Sequence, residues 1–137
     1  MNREKLNQIL LIDDDEPVNF LHEMIIKSSK LTDARIEIKM LAQQGLEFLK
    51  SQSVDEDEPL LIFLDINMPR MNGWEFLDEF ESMPSELVDN TIVVMLTTSL
   101  NPDDKSRGEK HPAVKKFMTK PLTKDGFQNV LEEFFPY

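Results

Sequence analysis

The stretch LLIFLDINMPRMNGWEFLDEF, residues 60–80, decides the fold. It opens on the apolar run Leu60–Leu64, which has the length of a β-strand and no polar position that could face water. Strands of this kind belong to parallel sheets that helices cover on both faces. After Asp65 and a short polar segment, Trp74, Phe76, Leu77 and Phe80 recur at helical spacing. The stretch therefore predicts a strand, a loop and a helix, one unit of an α/β fold.

The same unit repeats along the chain. Further apolar runs occupy residues 9–12, 36–40, 92–96 and 114–118, and amphipathic segments separate them. The runs at 36–40 and 114–118 are interrupted by charged residues, which suits the edges of a sheet, whereas the others suit its centre. Right-handed crossovers then predict an α/β fold of the (βα)5 type. It has one doubly wound, parallel, five-stranded sheet in the flavodoxin-like order 2-1-3-4-5.

The helical segments carry their own signals. Residues 17–27 place Phe20, Leu21, Met24 and Ile25 on one side, which predicts that this side faces the core, with His22 on the surface. Asn101 and Pro102 predict the start of the fourth helix in the (βα)5 count. Residues 51–59 and 82–90 are predicted to be loops.

Composition limits the classes of function. The chain has 137 residues, which fits one domain over 1–137 with no output domain attached. Its formal net charge of -11 disfavours nucleic acid binding, because phosphate backbones would be repelled. It has no cysteine, which excludes disulfides and thiolate metal sites, and no apolar run approaches the length of a membrane span. We expect a cytoplasmic protein.

Polar side chains follow four of the predicted strands at the same end. Asp13 and Asp14 follow the first strand and Asp65 the third, whereas Thr97 ends the fourth and Lys120 the fifth. Ligands of such sheets bind at this edge, where the strand order reverses. Facing carboxylates repel one another unless a cation such as Mg²⁺ lies among them. A carboxylate can also attack phosphorus, and an ammonium and a hydroxyl can stabilise phosphoryl oxygens.

Simpler interpretations of these residues stay open at this point. The aspartates after the first strand could cap a helix, and Asp15 is the one expected to do so. Asp65 could be a turn residue, and Thr97 an ordinary strand residue.

Four motifs, ILLIDDDE, IFLDINMPRMNGWEFL, VVMLTT and FMTKP, resemble in order and spacing the receiver domain of two-component response regulators, here of the single-domain type. The resemblance covers nearly the whole chain. It implies that Asp65 is the phosphoacceptor and that the cofactor is Mg²⁺. The implied metal ligands are Asp13, Asp14, Asp65 and the backbone carbonyl of Asn67.

The resemblance also assigns roles on the last two strands. Thr97 would donate a hydrogen bond to the phosphoryl group, Lys120 would pair with it, and the Lys120–Pro121 peptide bond would be cis. Thr97 and an aromatic residue on the fifth strand form the switch of this family. Phe117 stands where many members have tyrosine, so that a hydrogen bond from the switch residue is lost but rotation of the ring is kept.

The resemblance implies a phosphoacceptor that assists its own phosphorylation and dephosphorylation but is not an enzyme. The implied donor is a histidine kinase or a histidine phosphotransfer protein. The target is an unknown protein that binds the surface of the last two helices and the fifth strand, and dimerisation there stays open. One alternative is a Mg²⁺-dependent phosphatase that forms an aspartyl phosphate, but such enzymes carry a second aspartate where this chain has Asn67. Another is a binding module that needs no phosphate.

Overall fold

The computed structural model describes residues 1–52, 58–98 and 101–137. Within them, all strands pair in parallel and form one sheet in the order β2-β1-β3-β4-β5, which confirms the predicted topology. The strands are β1 (Gln8–Ile12), β2 (Arg35–Lys39), β3 (Leu60–Leu64), β4 (Thr91–Thr97) and β5 (Val114–Thr119).

The helices alternate with the strands, and one helix more than predicted is present among the described residues. They are α1 (Glu16–Ser29), α2 (Ala42–Ser51), α3 (Gly73–Glu81), α4 (Ser85–Asp89), α5 (Pro102–Lys110) and α6 (Lys124–Phe134), preceded by a 3₁₀ turn at Arg3–Lys5. The single-turn helix α4 lies where we predicted only a loop. Pro84 precedes it and Leu87 packs its turn onto the core. Of the other predicted loop, residues 53–57 lie outside the described residues.

The central strands are buried because both faces of the sheet are covered. Every residue of β3 and β4 is buried, whereas those of the edge strands β2 and β5 are half-buried or exposed. Alternate residues of β1 enter different cores: Leu10 and Ile12 pack with α2 and α3, and Ile9 and Leu11 pack with α1 and α6. Fully burying such a side chain contributes roughly 1.5–3 kcal/mol. None of the helices in the described ranges is long and apolar enough to cross a lipid bilayer.

Helix α1 faces the core with a side that the sequence did not predict. The prediction for its apolar face was wrong, since Phe20 is 62%, Leu21 41% and Met24 51% exposed. The buried residues of the helix are Asn19, His22, Ile26 and Ser29. The expected cap is confirmed, because the side chain of Asp15 accepts a hydrogen bond from the backbone N–H of Val18.

Helix α5 lies close to β5 but buries few side chains. Its start is as predicted, with the Asn101 side chain accepting from the backbone N–H of Asp103 and Pro102 in the first turn. Gly108 is the one buried residue of this helix. The helix therefore contributes no large apolar side chain to the core.

Candidate functional site

Backbone hydrogen bonds fix the strand ends that carry the predicted site. The N–H of Asp65 donates to the carbonyl of Ile12 at 3.0 Å, and the N–H of Asp13 donates to the carbonyl of Lys39 at 3.2 Å. The N–H of Lys120 donates to the carbonyl of Thr97 at 2.8 Å. Each bond extends the sheet ladder by about one residue, so the positions of Asp13, Asp65 and Lys120 are set by the sheet itself.

Lys120 brings the two buried aspartates together. Its Nζ lies 2.6 Å from Oδ2 of Asp13 and 3.1 Å from Oδ1 of Asp65. The side chains are nearly enclosed, with 10% of Lys120 and 7% of each aspartate exposed. Contacts of this length between charged groups are strong in a pocket that is nearly closed to water. The loss of one partner leaves a buried charge uncompensated.

Asp14 completes a cluster of acids. Carboxylate oxygens of Asp13, Asp14 and Asp65 all lie within 4.8 Å of one another, with Asp14 exposed at the rim. One ammonium against three carboxylates leaves the site negative, and such a site favours an added cation. Its donor atoms are all oxygens, which is the ligand set of hard cations such as Mg²⁺. The residues present therefore fit a divalent metal ion.

Burial and charge shift the proton affinities in the site. Burial raises the pKa of Asp65, and the neighbouring Asp13 raises it further, while Lys120 partly offsets both. Burial alone would lower the pKa of Lys120, but its hydrogen bond to Asp13 and the charges of both aspartates outweigh it, and the net pKa is raised. Lys120 therefore stays an ammonium. Groups with shifted pKa values in a cleft are typical of functional sites.

The loop after β3 returns tightly toward Asp65. The N–H of Gly73 donates to the carbonyl of Ile66 at 2.7 Å, and a Cβ on Gly73 would lie 2.5 Å from the backbone oxygen of Asp65. Only glycine permits this approach. Asn67 is exposed on this loop between the buried Ile66 and Met68.

The predicted switch residues lie on neighbouring strands. Thr97 is fully buried at the end of β4, and Phe117 is half-buried on β5. A Cβ on Gly108 would lie 2.3 Å from Cδ2 of Phe117, so α5 lies directly on this ring. The Lys120–Pro121 peptide bond is cis, as predicted.

Two buried residues of α1 were missed by sequence reasoning. Nδ2 of Asn19 donates to the backbone carbonyl of Asp13 at 2.8 Å, and Nε2 of His22 accepts from the backbone N–H of Leu122 at 3.1 Å. The prediction of a surface His22 was wrong, since the residue is 2% exposed. Burial lowers its pKa, an effect that Asp13 opposes and Lys120 reinforces. No local pattern in the sequence could reveal a partner 100 positions away.

Comparisons with known proteins point to one family. Residues 9–132 match the response regulator receiver domain. The chain is 35% identical over 98 residues to the response regulator Rcp1 of Synechocystis sp., a match that covers 70% of this chain and 65% of that protein.

Two solved structures are similar over almost their whole length. One is a two-component response regulator from Cytophaga hutchinsonii, with 32% identity, a TM-score of 0.84 and coverage of 93% of this chain and 96% of that one. The other is a response regulator receiver protein from Dyadobacter fermentans, with 25% identity, a TM-score of 0.84 and coverage of 95% and 98%. With its parallel sheet, its acidic site and a family match over residues 9–132, the chain belongs to the response regulator receiver domain family.

Proposed function

We propose that this receiver domain accepts a phosphoryl group on Asp65 in a Mg²⁺-dependent reaction and thereby changes a protein-binding surface. The observation that carries the proposal is the ammonium of Lys120, 3.1 Å from Asp65, beside an acidic cluster that fits a divalent cation. The donor is the phosphohistidine of a histidine kinase or of a histidine phosphotransfer protein. Residues 1–137 act as one receiver domain.

The chemistry follows from the groups around Asp65. A carboxylate oxygen of Asp65 attacks phosphorus, the bond from phosphorus to the donor's histidine nitrogen breaks, and the imidazole leaves with the electron pair. Asp13, Asp14, Asp65 and the backbone carbonyl of Asn67 would hold Mg²⁺, which when bound would supply positive charge to the phosphoryl oxygens. The ammonium of Lys120 then pairs with the phosphoryl oxygens as well as with the carboxylates. The hydroxyl of Thr97 donates a hydrogen bond to the same phosphoryl oxygens.

The output surface is formed by α5, β5 and α6. A groove of about 620 Å³ lies on it, and its lining includes Pro102 and Lys105 of α5 and Phe117 of β5. When Thr97 turns toward the phosphoryl group, it vacates space into which the Phe117 ring can rotate. Because Gly108 rests on that ring, its rotation moves α5 and reshapes the groove for the downstream protein.

The input surface lies on helix α1. Phe20, Leu21 and Met24 form an exposed apolar stripe on α1, which begins directly after the acidic loop. A protein donor that brings its histidine to Asp65 has to cover this rim, and apolar side chains there favour its binding. We expect Met24→Ser to slow phosphotransfer from a protein donor without slowing phosphorylation by a small acyl phosphate.

Intact mass measurement tests the phosphoacceptor directly. With acetyl phosphate and Mg²⁺ the wild-type chain gains one phosphoryl group, and chelation of the metal prevents the gain. Asp65→Asn gains none, while Asp125→Asn, an exposed acid on α6, serves as the matched control and is labelled like the wild type. Labelling of Asp65→Asn at the wild-type rate would refute the assignment.

The same sample separates the alternative functions. A phosphatase would release phosphate from varied monoesters over many cycles, but Asn67 offers no carboxyl group to protonate a leaving group. A receiver domain instead stops at one phosphoryl group per chain. A binding module that needs no phosphate would show no gain in mass with any donor.

A further inference from the structure

We infer that Asn19 and His22 are positioning residues of the phosphorylation site, with Asn19 fixing the segment of Asp13 and His22 fixing the segment of Lys120. The inference rests on the proposed function, since it concerns the reaction at Asp65. The two residues lie one helical turn apart on the buried side of α1. That side was predicted to face solvent, and nothing in the fold requires a helix to bury two polar groups there.

Asn19 acts on Asp13 through the backbone. Its Nδ2 donates to the Asp13 carbonyl at 2.8 Å, and the side chain is 2% exposed. Its Oδ1 is buried and has no hydrogen-bond partner among the described residues. Burying an unpartnered oxygen costs stability, and the hydrogen bond from the amide nitrogen is what this residue contributes in return. That nitrogen restrains the backbone from which the Asp13 carboxylate projects.

His22 acts in the same way on the loop that follows β5. Its Nε2 accepts from the N–H of Leu122 at 3.1 Å, and both residues are nearly fully buried. Leu122 stands two positions after Lys120. Without the imidazole its N–H would be buried and unpaired, and the loop would shift to find another acceptor. Such a shift would displace the ammonium of Lys120.

One helix thus connects two segments that are far apart in sequence. Asp13 and Lys120 are separated by 107 positions, and their 2.6 Å contact is made only if both segments are in place. A cavity of about 10 Å³ between α1 and the site is lined by Asn19, His22, Asp13 and Asp65 among others, and it has room for about one water molecule at most. With so little free volume, a displaced segment would also displace the contact between Lys120 and Asp13.

The test compares His22→Leu with His22→Gln. Leucine fills the space, so that no extra water can replace the lost acceptor, whereas the amide oxygen of glutamine can take the place of Nε2. We expect His22→Leu to lower the phosphorylation rate at saturating Mg²⁺ and acetyl phosphate by roughly ten- to a hundredfold. Its Mg²⁺ affinity, measured by calorimetry, is not lowered, because a displaced Lys120 ammonium no longer competes with the metal for Asp13 and Asp65, and His22→Gln recovers most of the rate.

Asn19→Leu gives the complementary result. Because Asp13 is a proposed metal ligand, this variant weakens Mg²⁺ binding in calorimetry, which His22→Leu does not. Ser29→Ala is the matched control, since Ser29 is buried on the same side of α1 but, among the described residues, hydrogen-bonds only to Ile26 and Leu31. It changes neither the metal affinity nor the rate. If Asn19 and His22 had a purely structural role, the phosphorylation rate, the metal affinity and the melting temperature would instead fall together in all these variants.

The outcomes separate the inference from the proposed function. If the wild-type chain is not labelled at all, the proposed function fails. If the wild type is labelled and His22→Leu is labelled equally fast, or if His22→Gln is as slow as His22→Leu, the positioning role is overturned. Should His22→Leu fail to fold, His22→Asn replaces it, because the shorter amide cannot reach Leu122, and a rate equal to that of His22→Gln overturns the inference.

Discussion

Helices α1 and α5 both flank the carboxyl edge of the sheet, yet they pack in different ways. Helix α1 buries four residues and hydrogen-bonds to the segments of Asp13 and Leu122. Helix α5 buries only Gly108 and lies on the ring of Phe117. The site is thus held by several buried side chains on its firm side, α1, and by a close backbone contact with one buried residue on its loose side, α5. We therefore expect a change at Asp65 to shift α5 more readily than α1, because elements with few buried side chains move at the least cost in free energy.

Ile26→Ala tests the firm side and has the largest expected effect. Ile26 is 1% exposed in the core between α1, α6 and the sheet. Its truncation should lower the free energy of unfolding by about 2–5 kcal/mol, measured by urea denaturation. A loss below about 1 kcal/mol, the size expected for a surface residue, would show that α1 is not anchored as described.

Gly108→Ala tests the contact between α5 and β5. The new Cβ would overlap Cδ2 of Phe117, and overpacking of this kind costs about 1–3 kcal/mol. In a Phe117→Ala background the overlap is gone, and the same change should stabilise the chain by up to about 1 kcal/mol, because alanine is the better helix former. Equal effects of Gly108→Ala in both backgrounds would mean that the helix does not rest on this ring.

His22 makes the firm side sensitive to acid. Its folded-state pKa is lowered by burial, so below its ordinary value the unfolded chain takes up the proton more readily than the folded one. Its contribution to stability is therefore complete above about pH 6.5 and is lost as the pH falls through the lowered pKa. His22→Gln, which has no titrating group, should lose less stability than the wild type over this range in metal-free urea titrations. Identical pH profiles would contradict the burial of a neutral His22.

Arg107→Ala tests the loose side and has the smallest expected effect. The guanidinium of Arg107 lies 4.5 Å from the ring centroid of Trp74, a cation–π contact that connects α5 to α3. Its loss should cost about 0.5–1 kcal/mol at such an exposed position. A cost as large as that of Ile26→Ala would remove the difference between the two helices.

The sheet was predictable because its signals are local. Each strand is a run of apolar residues, and the polar residues that follow the runs lie at the same edge in any parallel sheet. Asp13, Asp65 and Lys120 could therefore be placed together from sequence. The face of α1 could not, since Phe20, Leu21 and Met24 have the spacing of a core face, while the contacts that orient the helix involve Asp13 and Leu122.

Close contacts between elements were equally impossible to predict from the sequence. Nothing in the sequence around Gly108 indicates that Phe117 lies against it, because the contact exists only once α5 is laid on β5. The short helix α4 was missed because its five residues hold a single buried side chain, Leu87, and so show no periodicity.

Hydrogen exchange with mass spectrometry tests the central claim most directly, namely that chemistry at Asp65 is transmitted to α5 while α1 stays fixed. The wild type and Asp65→Asn are compared with and without acetyl phosphate and Mg²⁺. The account predicts altered amide exchange in α5 and β5 of the phosphorylated wild type, unchanged exchange in the second half of α1, and no difference in Asp65→Asn beyond that caused by the metal. Phosphorylation that changes exchange in α1 as much as in α5, or in neither helix, would contradict it.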